Sequence, residues 1–574
     1  MWAKAGPRSA RTPRPGSAGE PDSALDATAN PFRNATAGAL LDAVAAQHPD
    51  REALVLDDER LTFAQFRERA ETLARGLRAL HLGAGDTLAI WLPNRPSWFI
   101  AQQACARLGI VVVALNPRYR THELAYILAQ SDSAALLLAD HLGPVDYLET
   151  LHAVLPALSR SAPGAVAAAQ FPLLRHVIVD AEDPYPGCHR LRDVMDAGAD
   201  STEALDVPVA PDDTFALLYT SGTTSFPKGA IISHRNCVPQ AWHCGEILRV
   251  TPCDRVLHAL PAAGTWGGVN IPLTTWSHGA CLVLMQTWDA LRALVLMERE
   301  RITIWNAVDA MAKSLLAHPD LDLYDRSTLR TGGIGATGGG GHGLFEDVVA
   351  RIGLRQVYQP YGMTECQALC LLHDLDEPFA LRVQSGIKPV PRLEVRVVAP
   401  DTGRPCLPGQ EGELQFRGEC VTRGYYKKPE ETAAAFTVDG WFRTGDLAVQ
   451  DSDGHTFFKG RLRETLRISH HMVAPGEIEG FVMSHPAVEQ AFVVGVPDPE
   501  TNEAPVAYVI LRPGAQLDED ALRAFCRGRI ASFKIPRVVR FVTEVPRTQG
   551  PHGDKVQKGK LREQALSELG ITGA

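Results

Sequence analysis

The segment YTSGTTSFPKGA at 219–230 concentrates groups that hold phosphate. Hydroxyls of Thr220, Ser221, Thr223 and Thr224 donate hydrogen bonds, Gly222 frees the backbone N–H groups around it, and Lys228 adds a point charge. DTFALLY before it and AIISH after it read as strands, so the loop would be held between two edges. It is not a Walker A loop, which needs Gly, four residues and then Gly-Lys-Ser/Thr. Here Gly222 is followed, after four residues, by Pro227-Lys228-Gly229. Taken alone, the segment also fits a polar hairpin.

The elements that must position this loop follow from the apolar pattern. With 574 residues, the chain exceeds a single core and predicts two to four domains or subdomains. Apolar residues three and four apart predict a helix in LTFAQFRERAETLARGLRAL (61–80). From TLAIWLP to about residue 380, short apolar strands (DTFAL, GAIISH, RVLHALP, ACLVLM, RITIWNAV, RQVYQPYG) alternate with helical segments. That alternation predicts α/β layers with largely parallel sheets. TGGIGATGGGGHG (331–343) reads as an irregular, mobile loop, and 155–175 as a surface excursion. From about 383, LEVRVVAP, GELQFRG and HTFFKGR predict a β-rich subdomain. After Arg461 a further β/α set of about 110 residues is long enough to be its own α+β domain.

Composition narrows the function classes. A net charge of -10 argues against nucleic-acid binding, and no run reaches a membrane-spanning length. Eleven scattered cysteines without a CxxC predict reduced thiols in a cytoplasmic protein, and Cys237, His243 and Cys244 match no standard zinc spacing. The basic, proline-rich residues 1–33 read as a disordered tail; a targeting peptide is the alternative, although Pro7, Pro13 and Pro15 would break its helix.

The loop resembles the phosphate loop of the adenylate-forming superfamily, [ST]SGTTGxPKG, with Ser225 where Gly is usual. Further segments match that family in order: QPYGMTE (359–365), GELQFRGECVTRGYYKKPEET (412–432), GWFRTGDLAVQDSDGHTFFKGRLRE (440–464) and DKVQKGKLRE (554–563). The resemblance implies an AMP-binding domain over 34–462 and a small mobile C-terminal domain over 463–574. It implies that Tyr361 stacks near adenine, that Thr364 contacts phosphate and that Glu365 binds Mg2+, an ion that prefers oxygen ligands. Gly333 and Gly362 would border the nucleotide. Asp446 would accept from the ribose hydroxyls, as an ionised carboxylate can. Arg461 would lie near ribose and phosphate, Lys555 would bridge the carboxylate substrate and the α-phosphate, and Arg463 would be the hinge.

The implied reaction uses ATP, Mg2+ and CoA to convert a carboxylic acid first to an acyl-adenylate and then to a thioester. Alternatives are a stand-alone ligase loading a carrier protein and a nucleotide-binding homologue with impaired catalysis. In the family the acyl pocket borders the segments matching 258–268, 303–311 and 331–338. Gly264 stands where an aromatic or His is common, which would widen an acyl tunnel; Trp266 and Gly335 fall beside it. Asp309 replaces a usual Thr, so a carboxylate there would favour a cationic or hydroxylated acid, with a helix N-cap as the alternative. His470, where the family has glycine near the pantetheine channel, and Asp554 before Lys555 predict a slow thioester step or another acceptor. Oligomeric state, monomer or homodimer, is left open by the sequence.

Overall fold

The computed structural model describes residues 30–220, 227–335, 343–468, 471–498, 501–527, 529–530, 532–550 and 553–571. Residues 30–33, expected to belong to a disordered tail, are among the described ones. Asn30 is buried, with its amide donating to the Pro239 carbonyl at 3.0 Å and facing His243 at 3.3 Å.

The amphipathic helix is Phe63–Ala79. It starts at a capping box in which Thr62 and Gln65 satisfy each other's backbone N–H, and it buries Phe63, Phe66, Ala70, Leu73 and Leu77 on one face. Such helices cover two large, mainly parallel sheets. One runs in the order Lys228–Ser233, Thr214–Thr220, Val111–Ala114, Thr87–Trp91, Ala135–Ala139, His176–Asp180, His189–Arg190. The other contains Arg255–His258, Cys281–Leu284, Ile304–Trp305, Ala307–Val308, Thr331–Gly335 and Gln356–Tyr358, all paired in parallel, with the hairpin Glu52–Leu56 and Glu59–Thr62 at its far edge. The chain is thus mixed α/β, as expected.

The glycine-rich segment at 331 corrects the sequence reading. Its first five residues, Thr331–Gly335, are a strand between Ile304–Trp305 and Gln356–Tyr358. A Cβ at Gly332 would come within 1.8 Å of the Trp305 carbonyl, so glycine is there for close backbone approach. Residues 336–342 lie outside the described ones.

The β-rich subdomain is a six-stranded sheet with antiparallel pairing, including Leu393–Val398, Glu411–Gly418, Phe442–Gln450 and Thr456–Arg461. Beyond Leu466 the apolar residues bury among themselves, around the long hairpin Val488–Asp498 and Asn502–Leu511, with the helices Pro475–Met483 and Glu519–Cys526. Among the described residues no helix is long and apolar enough to cross a membrane. All eleven cysteines are free thiols.

Candidate active site

The antiparallel pairing of Phe442–Gln450 with Thr456–Arg461 puts Asp446 directly opposite Arg461. Their side chains meet as an ion pair at 2.7 Å. The Tyr361 hydroxyl donates to the other Asp446 oxygen at 2.5 Å, and the Tyr361 ring packs on Phe458 and Phe416. Burial raises the Asp446 pKa to about 6; Arg461 and the tyrosine hydroxyl pull against that, while Glu365 and Glu464 add to it. Burial and Asp446 also push the Tyr361 phenol well up, so it stays a hydrogen-bond donor. Asp446 Oδ1, although beside the guanidinium, has no N–H directed along a hydrogen-bonding line. It is a buried acceptor with capacity left over, as a carboxylate that receives sugar hydroxyls requires.

Tyr361 leads into the loop that carries Thr364 and Glu365. The loop folds back on itself: Cys370 and Leu371 both donate backbone N–H to the Tyr361 carbonyl. Gly362 makes that possible, since a Cβ there would sit 1.4 Å from the Ala368 carbonyl oxygen. Gln367 and Ala368 are both left-handed, with φ of 62° and 71°, so backbone strain is stored beside the carboxylate. Thr364 opens a single 3-10 turn and is half-buried; Glu365 is buried.

Glu365 is held by a residue to which the sequence reading gave no role. Tyr425 donates its hydroxyl to Glu365 Oε1 at 2.8 Å, and the Lys228 ammonium lies 5.3 Å from the same ring's centroid. Backbone bonds from Ile231 to Gly424 and from Tyr426 to Gly229 sew the returning strand Lys228–Ser233 to this segment. One tyrosine therefore spaces the Lys228 ammonium from the Glu365 carboxylate. The only signal in the sequence was its place in RGYYKKPEET. Glu365 suits Mg2+ held mainly by phosphate oxygens and water, because it offers an oxygen ligand beside the loop that would carry those phosphates.

Thr220 ends the strand Thr214–Thr220 and bonds the Lys228 carbonyl across the loop at 3.4 Å. Ser221, Gly222, Thr223, Thr224 and Ser225 lie outside the described residues, as does His470. Lys555 pairs through its backbone with Thr548 in the hairpin Arg547–Gly550 and Gly553–Val556. The side chains of Asp554 and Lys555 are likewise outside what is described. Arg463 is exposed in a 3-10 turn linking the two parts of the chain.

Gly333 donates its N–H to Asn306, and a Cβ there would press on the Tyr358 ring at 2.9 Å. Gly264 is buried and opens a turn, accepting from Gly268 N at 2.7 Å. That turn runs into a π-helix, Trp266–Asn270, and the Trp266 indole reaches Gly335: a Cβ there would lie 3.2 Å from the ring. Asp309 begins the helix Asp309–Leu316 and pairs with Lys313 at 3.3 Å, so its charge is balanced within its own helix. The Cys237 thiol lies 3.3 Å from the Ser233 carbonyl, and His243 Nε2 lies 3.3 Å from the Asn30 amide.

Comparison with known proteins agrees with this geometry. Residues 41–426 match the family model described as AMP-binding enzyme, and 477–550 match its C-terminal domain. A Bacillus subtilis (strain 168) protein, provisionally named acyl-CoA synthetase YngI, is 36% identical over 549 residues, covering 94% of this chain and 98% of that protein. The Bos taurus mitochondrial medium-chain acyl-CoA ligase ACSF2 is 34% identical over 551 residues, covering 94% and 89%. The crystal structure of ATP-bound MatB from Rhodopseudomonas palustris superposes with a TM-score of 0.79 at 27% identity, covering 93% and 99%. The chain belongs to the AMP-binding enzyme family and is an AMP-forming acid–thiol ligase.

Proposed function

We propose that the protein is an acyl-CoA synthetase that activates a medium-chain carboxylic acid with ATP, releases pyrophosphate, and transfers the acyl group to CoA. The observation that carries this reading is the buried Tyr361–Asp446 pair with the exposed Arg461 against it, together with the Lys228–Tyr425–Glu365 group. The chain length is taken from relatives named medium-chain ligases.

A free carboxylate resists attack because it is anionic and has a poor leaving group; joining it to AMP removes both obstacles. The acid must approach an α-phosphate of like charge, so catalysis is positioning and charge neutralisation. Asp446 receives ribose hydroxyls and Arg461 balances its charge. Thr220, the 221–224 loop and Lys228 hold the outgoing phosphates, and Thr364 touches phosphate. Glu365 would hold Mg2+, which when bound would supply positive charge to those oxygens. Lys555 draws the acid oxygen to the α-phosphorus; the carboxylate oxygen forms the new P–O bond as the bond to pyrophosphate breaks. The C-terminal unit, from 463 on, then turns about Arg463, withdrawing Lys555 and admitting the thiol, whose sulfur displaces AMP.

Pyrophosphate release with a panel of carboxylic acids, repeated with CoA and with a holo-carrier protein, tests the reading. Acyl-CoA formation is the expected result. Adenylation without any acyl-CoA would move the assignment to carrier loading, and no adenylation at all would leave a nucleotide binder.

A further inference from the structure

Lys228 is held through the backbone on either side of it. Thr220 donates its hydroxyl to the Lys228 carbonyl at 3.4 Å, Tyr126 donates its hydroxyl to the Pro227 carbonyl at 3.1 Å, and Tyr426 donates its N–H to the Gly229 carbonyl at 2.8 Å. Gly229 lies opposite Tyr219 in the sheet, so close that a Cβ there would meet the Tyr219 ring at 3.1 Å. Two of these supports, Tyr219 and Tyr426, converge on one side chain. The Tyr219 hydroxyl donates to Gln130 Oε1, and Gln130 Nε2 donates to the Tyr426 carbonyl at 2.7 Å.

Gln130 ends the helix Thr121–Gln130, with Tyr126 one turn earlier on the same face. Both halves of its amide are used, by residues 89 and 296 positions away in the chain. Two residues further on, Asp132 accepts from the Tyr426 hydroxyl at 2.9 Å and pairs with Lys427. The end of this helix therefore grips the segment that carries Tyr425, whose hydroxyl reaches Glu365 and whose ring faces Lys228. An amide suits the position because it accepts and donates at one end. A glutamate would still accept from Tyr219 but would set a second oxygen against the Tyr426 carbonyl.

We propose that Gln130 is a positioning residue for acyl-adenylate formation: it ties the strand end at Tyr219 to the Tyr425–Tyr426 segment and so sets the spacing between Lys228 and Glu365. This inference rests on the acyl-CoA synthetase reading. Gln130 acts through Tyr219, which backs Gly229 next to Lys228, and through Tyr426, next to Tyr425. Adenylation depends on that spacing, because Lys228 and Glu365 serve the phosphates that leave as pyrophosphate, and the rate comes from positioning and charge. The thioester step does not depend on it, since pyrophosphate has gone when the thiol attacks. A residue that merely supports the fold would affect both steps alike.

The test measures the two half-reactions of the full chain separately: pyrophosphate exchange with ATP, Mg2+ and octanoate, and octanoyl-CoA formation from synthetic octanoyl-AMP and CoA. Gln130→Met keeps the side chain's length and loses both hydrogen bonds. It is expected to lower kcat for exchange by about 10-fold or more and to raise KM for ATP, while KM for octanoate and the octanoyl-AMP reaction stay within about 2-fold of the parent. Tyr219→Phe removes one of the two bonds and should give a smaller change of the same kind. Combined with Gln130→Met it should add little, because that bond is already broken. Circular dichroism and thermal melts identify a Gln130→Met chain that has failed to fold, and Tyr219→Phe then decides on the same criteria. Equal losses in both half-reactions, or exchange at the parent rate in a folded variant, overturn the positioning role and leave the synthetase reading standing. A parent chain that forms no adenylate with any acid in a broad panel overturns that reading and the positioning role with it.

Discussion

Asp446 gives the site a measurable pH response. Its folded pKa, raised to about 6 by burial, lies above the ordinary carboxylate value near 3.8. Between those values the folded chain keeps a proton that the unfolded chain has released, so this group's contribution to stability falls as pH rises across the window and is constant above it. Function runs the other way, since only the ionised carboxylate accepts from two ribose hydroxyls. Calorimetric ATP affinity of the free enzyme should weaken as pH falls through about 6, and Asp446→Asn should flatten that limb while weakening binding at pH 8. An affinity that is flat down to pH 5 would contradict the assignment. Tyr425→Phe keeps the ring under Lys228 and removes the hydroxyl on Glu365. A hydrogen bond to a charged group is worth about 1.5–3 kcal/mol, so roughly a 10-fold or larger drop in the adenylation rate is expected, with secondary structure retained. Pyrophosphate release against circular dichroism distinguishes this from a folding defect.

At the scale of elements, two glycines carry different loads. Gly362 lets the Glu365 loop close, and Gly332 lets one strand lie against the Trp305 backbone. Gly362→Ala should abolish adenylation by opening the loop, with a modest loss of thermal stability. Gly332→Ala should lower the melting temperature sharply, because its Cβ meets the backbone of a buried strand that cannot yield. Differential scanning calorimetry beside an adenylation assay should separate the two. Much of this level was legible in the sequence. Helix Phe63–Ala79 showed in its apolar spacing, and strands such as Cys281–Leu284 in short apolar runs. Strand Thr331–Gly335 was hidden because its glycines look like a loop when no neighbour is visible. Their purpose is backbone contact, which leaves no apolar signature.

At the scale of the molecule, the apolar residues beyond Leu466 form their own core, and ion pairs tie that unit together near Arg463. Lys558 reaches the buried Glu479 at 2.7 Å and Glu464, next to Arg463, at 3.8 Å. If that unit turns between half-reactions, Arg463→Pro should stiffen the pivot. Acyl-adenylate formation, followed by pyrophosphate exchange, would persist, while acyl-CoA formation falls by at least about 10-fold. Equal losses in both assays would place Arg463 outside the hinge.

The sequence by itself determined the reaction class, because Lys228, Glu365, Asp446, Arg461 and Lys555 stand in motifs whose order and local spacing are written along the chain. It also determined the layered α/β plan, through the period of its apolar residues. Only the tertiary structure decided which groups share an environment. It placed Tyr425 between Lys228 and Glu365, paired Asp309 with Lys313, and joined Tyr219 to Tyr426 through Gln130. The physical reason is that burial and hydrogen-bond satisfaction belong to pairs of residues far apart in the chain, such as Tyr425 and Glu365, and no local pattern records them.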